Sequence, residues 1–264
     1  MKKLLQTTFW EPVPAETLLA IKDLGFDGIR IDLGQLNDQT KIRELIDPVL
    51  EAGLWPLIIF SNTKQLVYIP DGLNVELLNE PDLSGPGPRT YLQLLDQVSS
   101  IAVRRSQQLW AGVISNLNQR GFTYLEALQP ANWPAYVNVS IHHYPVKPWD
   151  PRQPHNGYQS RYHEYLKLKS IIGNRPYGVS EFGYHTAPER LYKWLPKKWS
   201  CNKRSITDEQ ALDNLRYEWA YWTIHGAQFA CLYQLNDGPT NTTLDRYGIR
   251  DIYGGWKPQS KSVL

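Results

Sequence analysis

Cysteine is scarce in this 264-residue chain: Cys201 and Cys231 are too few for a disulfide framework. Cys231 lies in the apolar run Ala227–Tyr233, where a buried, inert thiol is expected. Neither cysteine neighbours a base in sequence, which argues against a thiol nucleophile. Long hydrophobic runs are also missing, and none would span a bilayer. Charge of one sign is absent too: 28 Lys+Arg against 26 Asp+Glu leave a net +2, with no global field for nucleic acid or a membrane surface. No Gly-x-Gly-x-x-Gly follows an early strand, which weakens a dinucleotide-binding fold. Met1-Lys2-Lys3-Leu4-Leu5 opens like an export signal, yet Gln6-Thr7-Thr8 follows where the hydrophobic region must continue. A soluble monomer is expected, cytoplasmic or secreted with its signal removed, without nucleic-acid or membrane partners.

What the chain does have is hydrophobic content (42%) for a large core and an aromatic fraction of 12%, with 10 Trp and 16 Tyr. Short apolar runs alternate with longer amphipathic stretches throughout. The runs read as strands at Leu4–Phe9, Gly28–Leu33, Pro56–Phe60, Val75–Asn79, Leu109–Ser115, Tyr136–His142, Tyr177–Glu181 and Gln228–Gln234. Helical patterns at Ala15–Leu24, Gln39–Ala52, Thr90–Arg105, Tyr158–Ile172 and Asp208–His225 lie between them. Asn62–Ile69 reads as a short helix, and a last one after Trp256 is barely a turn or two. Pro14 and Gly25 bracket the first helix, and Thr207 before Asp208-Glu209-Gln210 resembles an N-cap. Eight strands alternating with helices in a chain of this length predict an α/β fold, a single (β/α)8 TIM barrel over residues 1–264.

In such a barrel function gathers at the C-terminal ends of the strands. Those ends carry Trp10-Glu11, Asp32, Ser61-Asn62, Asn79-Glu80, Asn116, His142-His143-Tyr144, Glu181 and Gln234-Asn236-Asp237. Glu80 closes the fourth strand before Pro81, and Glu181 the seventh before Phe182-Gly183. Strand order puts these carboxylates across the barrel mouth from each other. Two carboxyls roughly 5 Å apart suit glycoside cleavage with retention, whereas about 6.5–9.5 Å suits inversion.

Asn79-Glu80-Pro81 and Ser180-Glu181-Phe182-Gly183 resemble the signature pair of the clan A glycoside hydrolases, retaining (β/α)8 enzymes that include cellulase- and mannanase-like families. The resemblance implies Glu80 as acid/base, Glu181 as nucleophile and Asn79 as the ligand of the sugar 2-hydroxyl. It also matches Arg30 to the arginine beside the nucleophile, with a structural ion pair inside the barrel as the other reading. His142-His143-Tyr144 resembles the His-x-Tyr after strand six, which implies that Tyr144 bonds the nucleophile and that His142 faces inward. Where the clan often places a tryptophan after strand eight, this chain has Tyr233-Gln234, and either residue is expected to substitute.

Trp10, Trp149, and Trp194 and Trp199 in the basic segment Tyr184–Ile206 are candidate sugar platforms, and that segment's charge would suit an acidic polysaccharide. The expected activity is retaining β-glycoside hydrolysis, endo-acting on an oligo- or polysaccharide, without cofactor or catalytic metal. A transglycosylase would use the same residues, and a non-catalytic carbohydrate-binding barrel is the rival from another class.

Overall fold

In a computed structural model that describes residues 1–7, 11–145, 150–155, 157–184, 206–236, 247–250 and 255–263, eight strands close a parallel barrel in sequential order. They are β1 (Lys2–Gln6), β2 (Gly28–Asp32), β3 (Trp55–Phe60), β4 (Asn74–Leu77), β5 (Gln108–Ile114), β6 (Val137–His142), β7 (Tyr177–Phe182) and β8 (Phe229–Leu232). Strand β1 begins and ends earlier than the sequence pattern suggests, and residues 8–10 lie outside the described ones.

The surrounding helices are α1 (Ala15–Asp23), α2 (Gln39–Glu51), α3 (Thr63–Tyr68), α4 (Pro81–Ser84), α5 (Pro88–Arg104), α6 (Gln119–Leu128), α7 (Arg161–Ile172) and α8 (Asp208–Ile224). Helix α2 shows why they form. The Asp38 side chain caps it by accepting from the Lys41 peptide, and Ile42, Leu45, Ile46 and Val49 recur on its buried face. Thr207 and Gln210 form a capping box at the start of α8. Pro258–Val263 is a short 3-10 helix against α8, where Trp219 Nε1 donates to Ser262 Oγ at 3.3 Å. Helix α6 was not among the expected helices. It has only ten residues, and Gly121 in its first turn blurs the pattern of Phe122, Leu125 and Leu128.

Strand alternation divides the barrel interior into levels. At the bottom, Leu4, Leu57, Trp110, Phe229 and Cys231 form an apolar plug separate from the larger core between strands and helices. Trp110 and Phe229 meet edge to face, 4.7 Å between ring centres. Gly178 makes room for that packing, since a Cβ there would fall 2.3 Å from the Phe229 ring. Gly28 does the same for β3, because its Cβ would meet the Trp55 carbonyl oxygen at 2.0 Å. Above the plug the interior turns polar, with Gln6, Arg30, Glu76, Ser140 and Ser180 all buried. That layer supports everything at the mouth.

Candidate active site

Glu80 reaches the mouth through an unusual backbone. After β4 ends, Leu78 and Glu80 both take the left-handed conformation, with φ of 61° and 46°, and Pro81 starts α4. Non-glycine residues there cost of order 1–3 kcal/mol each, and such strain concentrates where a side chain must be aimed. The Glu80 side chain is about a quarter open, at 27% exposure, against 8% for Glu181.

Glu181 is aimed by a different device. On β6 and β7, Ile141 pairs with Val179 but His142 pairs with Glu181, so β7 carries one extra residue at Ser180–Glu181. This bulge turns two successive side chains toward the interior. Ser180 Oγ meets Ser140 Oγ at 2.8 Å, and Glu181 meets Arg30 one level higher.

Arg30 is fully buried and joins the two levels. Its Nη1 donates to Glu181 Oε1 at 2.5 Å and to Gln6 Oε1 at 2.9 Å. Its Nη2 donates to Glu76 Oε1 at 2.5 Å and to Asn79 Oδ1 at 2.9 Å. Arg30 thus pairs both with the mouth glutamate and with a glutamate inside the barrel. Burial alone would lower its pKa, but Glu76 and Glu181 more than offset that, and it stays a cation.

Tyr144 donates its hydroxyl to Glu181 Oε2 at 2.7 Å. Burial, then the Glu181 charge, pushes the phenol well above its ordinary pKa, so it remains a donor. Asn116 fixes its backbone reciprocally: Tyr144 N donates to Asn116 Oδ1 at 3.2 Å, and Asn116 Nδ2 donates to the Tyr144 carbonyl at 3.1 Å.

His142 faces inward between the carboxylates. Its Nδ1 is 3.0 Å from Glu80 Oε1 and 3.5 Å from Glu181 Oε2. The Arg30 guanidinium lies 3.4 Å from Nε2, which disfavours a proton there and leaves it on Nδ1, toward the carboxylates. Burial would raise the Glu181 carboxyl, but His142, the Arg30 charge and the hydrogen bonds from Tyr144 and Arg30 hold it below its ordinary range. One oxygen of Glu80, one of Glu181 and a ring nitrogen of His142 all lie within 4.8 Å of one another. They are close enough to hold a cation, but Arg30 already neutralises the Glu181 side of the site.

Six sequence candidates thus converge: Glu80, Glu181, Asn79, Arg30, His142 and Tyr144. Tyr233 joins them through its ring, 6.4 Å from that of Tyr144 and nearly perpendicular to it. Gln234 is buried beside the mouth, its peptide N–H donating to the Tyr247 carbonyl at 3.3 Å. Trp10, Trp149, Trp194 and Trp199 lie outside the described residues. Glu76 is the residue that sequence reading missed. Its signal was a charge within the apolar strand Asn74–Leu77, on the same face as Asn74, which requires a buried partner.

No protein-family model matches the chain, and no curated protein resembles it in sequence. Solved structures share its barrel. An active-site mutant of the Rhizomucor miehei β-1,3-glucanosyltransferase, in complex with laminaritriose, superposes with a TM-score of 0.68 at 9% identity, over 98% of this chain and 96% of that one. A family 128 (subgroup II) endo-β-1,3-glucanase from Sorangium cellulosum gives 0.63 at 12% identity, over 100% and 97%. The family 51 arabinofuranosidase from Xanthomonas axonopodis pv. citri gives 0.61 at 11% identity, over 94% of this chain and 64% of that one.

Proposed function

We propose that this protein is a retaining β-glycosidase that cleaves a β-linked polysaccharide from within by double displacement. One observation carries the reading: oxygens of Glu80 and Glu181 lie within 4.8 Å of each other, and the two carboxylates sit in unequal surroundings. Inverting enzymes separate the pair by about 6.5–9.5 Å to admit a water.

The unequal surroundings support unequal roles. Glu181, kept anionic by Arg30 and Tyr144, attacks the anomeric carbon. Glu80, the more open carboxyl, gives a proton to the departing glycosidic oxygen. A water then enters, loses its proton to Glu80, and displaces Glu181 from the sugar. Asn79 Oδ1 accepts from Arg30 Nη2, which leaves its amide NH2 to donate to a sugar hydroxyl beside the reacting carbon. His142, touching both carboxylates, holds them at their working separation.

For substrate, β-1,3-glucan is the first choice. The similar barrels include a β-1,3-glucanosyltransferase and endo- and exo-β-1,3-glucanases. Incubation with laminarin and with β-1,4-linked glucan and mannan, followed by sizing of the products, tests the reading. Early appearance of mixed short oligosaccharides from laminarin, abolished in Glu181→Ala, is expected. Products longer than the starting oligosaccharide would mark transfer to a sugar in place of water. Binding without turnover would make the protein a carbohydrate-binding barrel and refute the enzyme.

A further inference from the structure

A second buried polar cluster lies one residue beyond the site, on the outer side of the barrel wall. His143 follows inward-facing His142, so the chain turns it the other way, toward α7 and α8. It meets His155 of the β6–α7 connection, 5.8 Å between ring centres, and Glu164 of the first turns of α7. All three are buried, with side-chain exposures of 2%, 10% and 1%.

The polar groups here are incompletely matched. Glu164 Oε1 accepts from the His155 peptide N–H and faces His155 Nδ1 at 2.7 Å. A carboxylate only accepts, so that ring proton sits on Nδ1 and Nε2 presents a lone pair. Among the described residues, His155 Nε2 and Glu164 Oε2 are both buried with no hydrogen-bond partner. The neighbouring cation does not answer them, because Arg161 forms a forked pair with Glu218, Nη1 to Oε1 at 2.7 Å and Nη2 to Oε2 at 3.0 Å. Each of these two acceptors is thus buried without the hydrogen bond it needs, an unfavourable state for a polar atom.

We propose that His143, His155 and Glu164 bind a divalent cation of the zinc type. One donor atom from each residue lies within 4.8 Å of the others. Two imidazole nitrogens and one carboxylate oxygen form a zinc-like donor set, whereas magnesium and calcium favour oxygen alone. Tetrahedral bonds of about 2.0–2.2 Å place donors roughly 3.3–3.6 Å apart. His143 Nε2 is 3.9 Å from Glu164 Oε2, so those two donors need to close by only a few tenths of an ångström. Glu218 Oε2 stands 3.9 Å behind His143 Nδ1 and would take that ring's proton as an outer partner. In that tautomer the 3.3 Å contact from Arg161 Nη2 to His143 Nδ1 gives way. The cation's role is structural. It ties residues 150–155 to α7 and to the end of β6, directly behind the backbone that presents His142 and Tyr144.

The test uses the full chain, loaded with zinc, dialysed and assayed for bound metal, with cobalt(II) as a spectroscopic substitute and thermal unfolding as a second readout. One zinc per chain, a tetrahedral cobalt spectrum and a melting temperature raised several degrees by zinc are expected for the wild type. His155→Ala and Glu164→Gln should lose all three responses, while Glu80→Gln should keep them. A wild type that retains no metal and melts at the same temperature with and without zinc would overturn the proposal, whether or not the variants fold. Metal lost in Glu80→Gln but kept in His155→Ala would overturn it too, by placing the ion at the carboxylate pair.

Discussion

The hydroxyl of Tyr144 donates to Oε2 of Glu181 at 2.7 Å, on the side of the carboxylate opposite Arg30. A hydrogen bond to a charged acceptor contributes about 1.5–3 kcal/mol. Tyr144→Phe keeps the ring and its packing against Tyr233 and Tyr247 but removes the donor. A loss of about 10- to 100-fold in kcat/KM is expected. The pH profile should shift as well. Glu181 is held below its ordinary value of 4.5, so losing a donor raises it and moves the acid limb of activity to higher pH. An unmoved acid limb would remove Tyr144 from the tuning of Glu181.

Arg30 is balanced by Glu76 below as well as by Glu181 above. Breaking a buried pair from one side costs about 3–5 kcal/mol, because it strands a charge. Glu76→Gln should therefore lower stability by about that amount in urea unfolding. Replacing both residues together, Arg30→Met with Glu76→Met, should cost less than the two single changes summed. Strict additivity would show that the pair is not coupled.

Gly28 has no space for a side chain, since its Cβ would sit 2.0 Å from a backbone oxygen of β3. Gly28→Ala should prevent the β2–β3 pairing and yield little folded protein. In Gly178→Ala the nearest clash is with the Phe229 ring, at 2.3 Å, and that ring can be trimmed. Adding Phe229→Leu should recover part of the stability lost in Gly178→Ala, and should recover none in Gly28→Ala. Circular dichroism melts distinguish the two cases.

Cys231 lies in the apolar plug, and burial pushes its thiol well above the ordinary value. Iodoacetamide should leave it unmodified in the native protein and label it fully in denaturant, as read by peptide mass mapping. Rapid native labelling would mean that the barrel floor opens.

Much of this was legible in the sequence, for identifiable reasons. Eight apolar runs marked the strands, because strands of a parallel barrel are buried on both faces. Asn79-Glu80 and Glu181 stood out as polar residues at the ends of such runs. Three features were less legible. The bulge that turns Glu181 inward depends on its pairing with His142, a contact 39 residues apart in the chain. The left-handed turn at Leu78 and Glu80 uses no glycine at either position, so no residue type marked it. Glu76 was overlooked because its partner lies two strands away, and one sequence shows no pairing. His143 and His155 likewise gain meaning only where the chain brings them to Glu164.

Proton NMR of the first sugar released from a β-1,3-glucan tests the double displacement most directly. Attack by Glu181 followed by attack of water gives a product that first appears as the β anomer and then mutarotates toward α. A product that first appears as the α anomer would contradict a Glu181 nucleophile and require a water held between the two carboxylates instead.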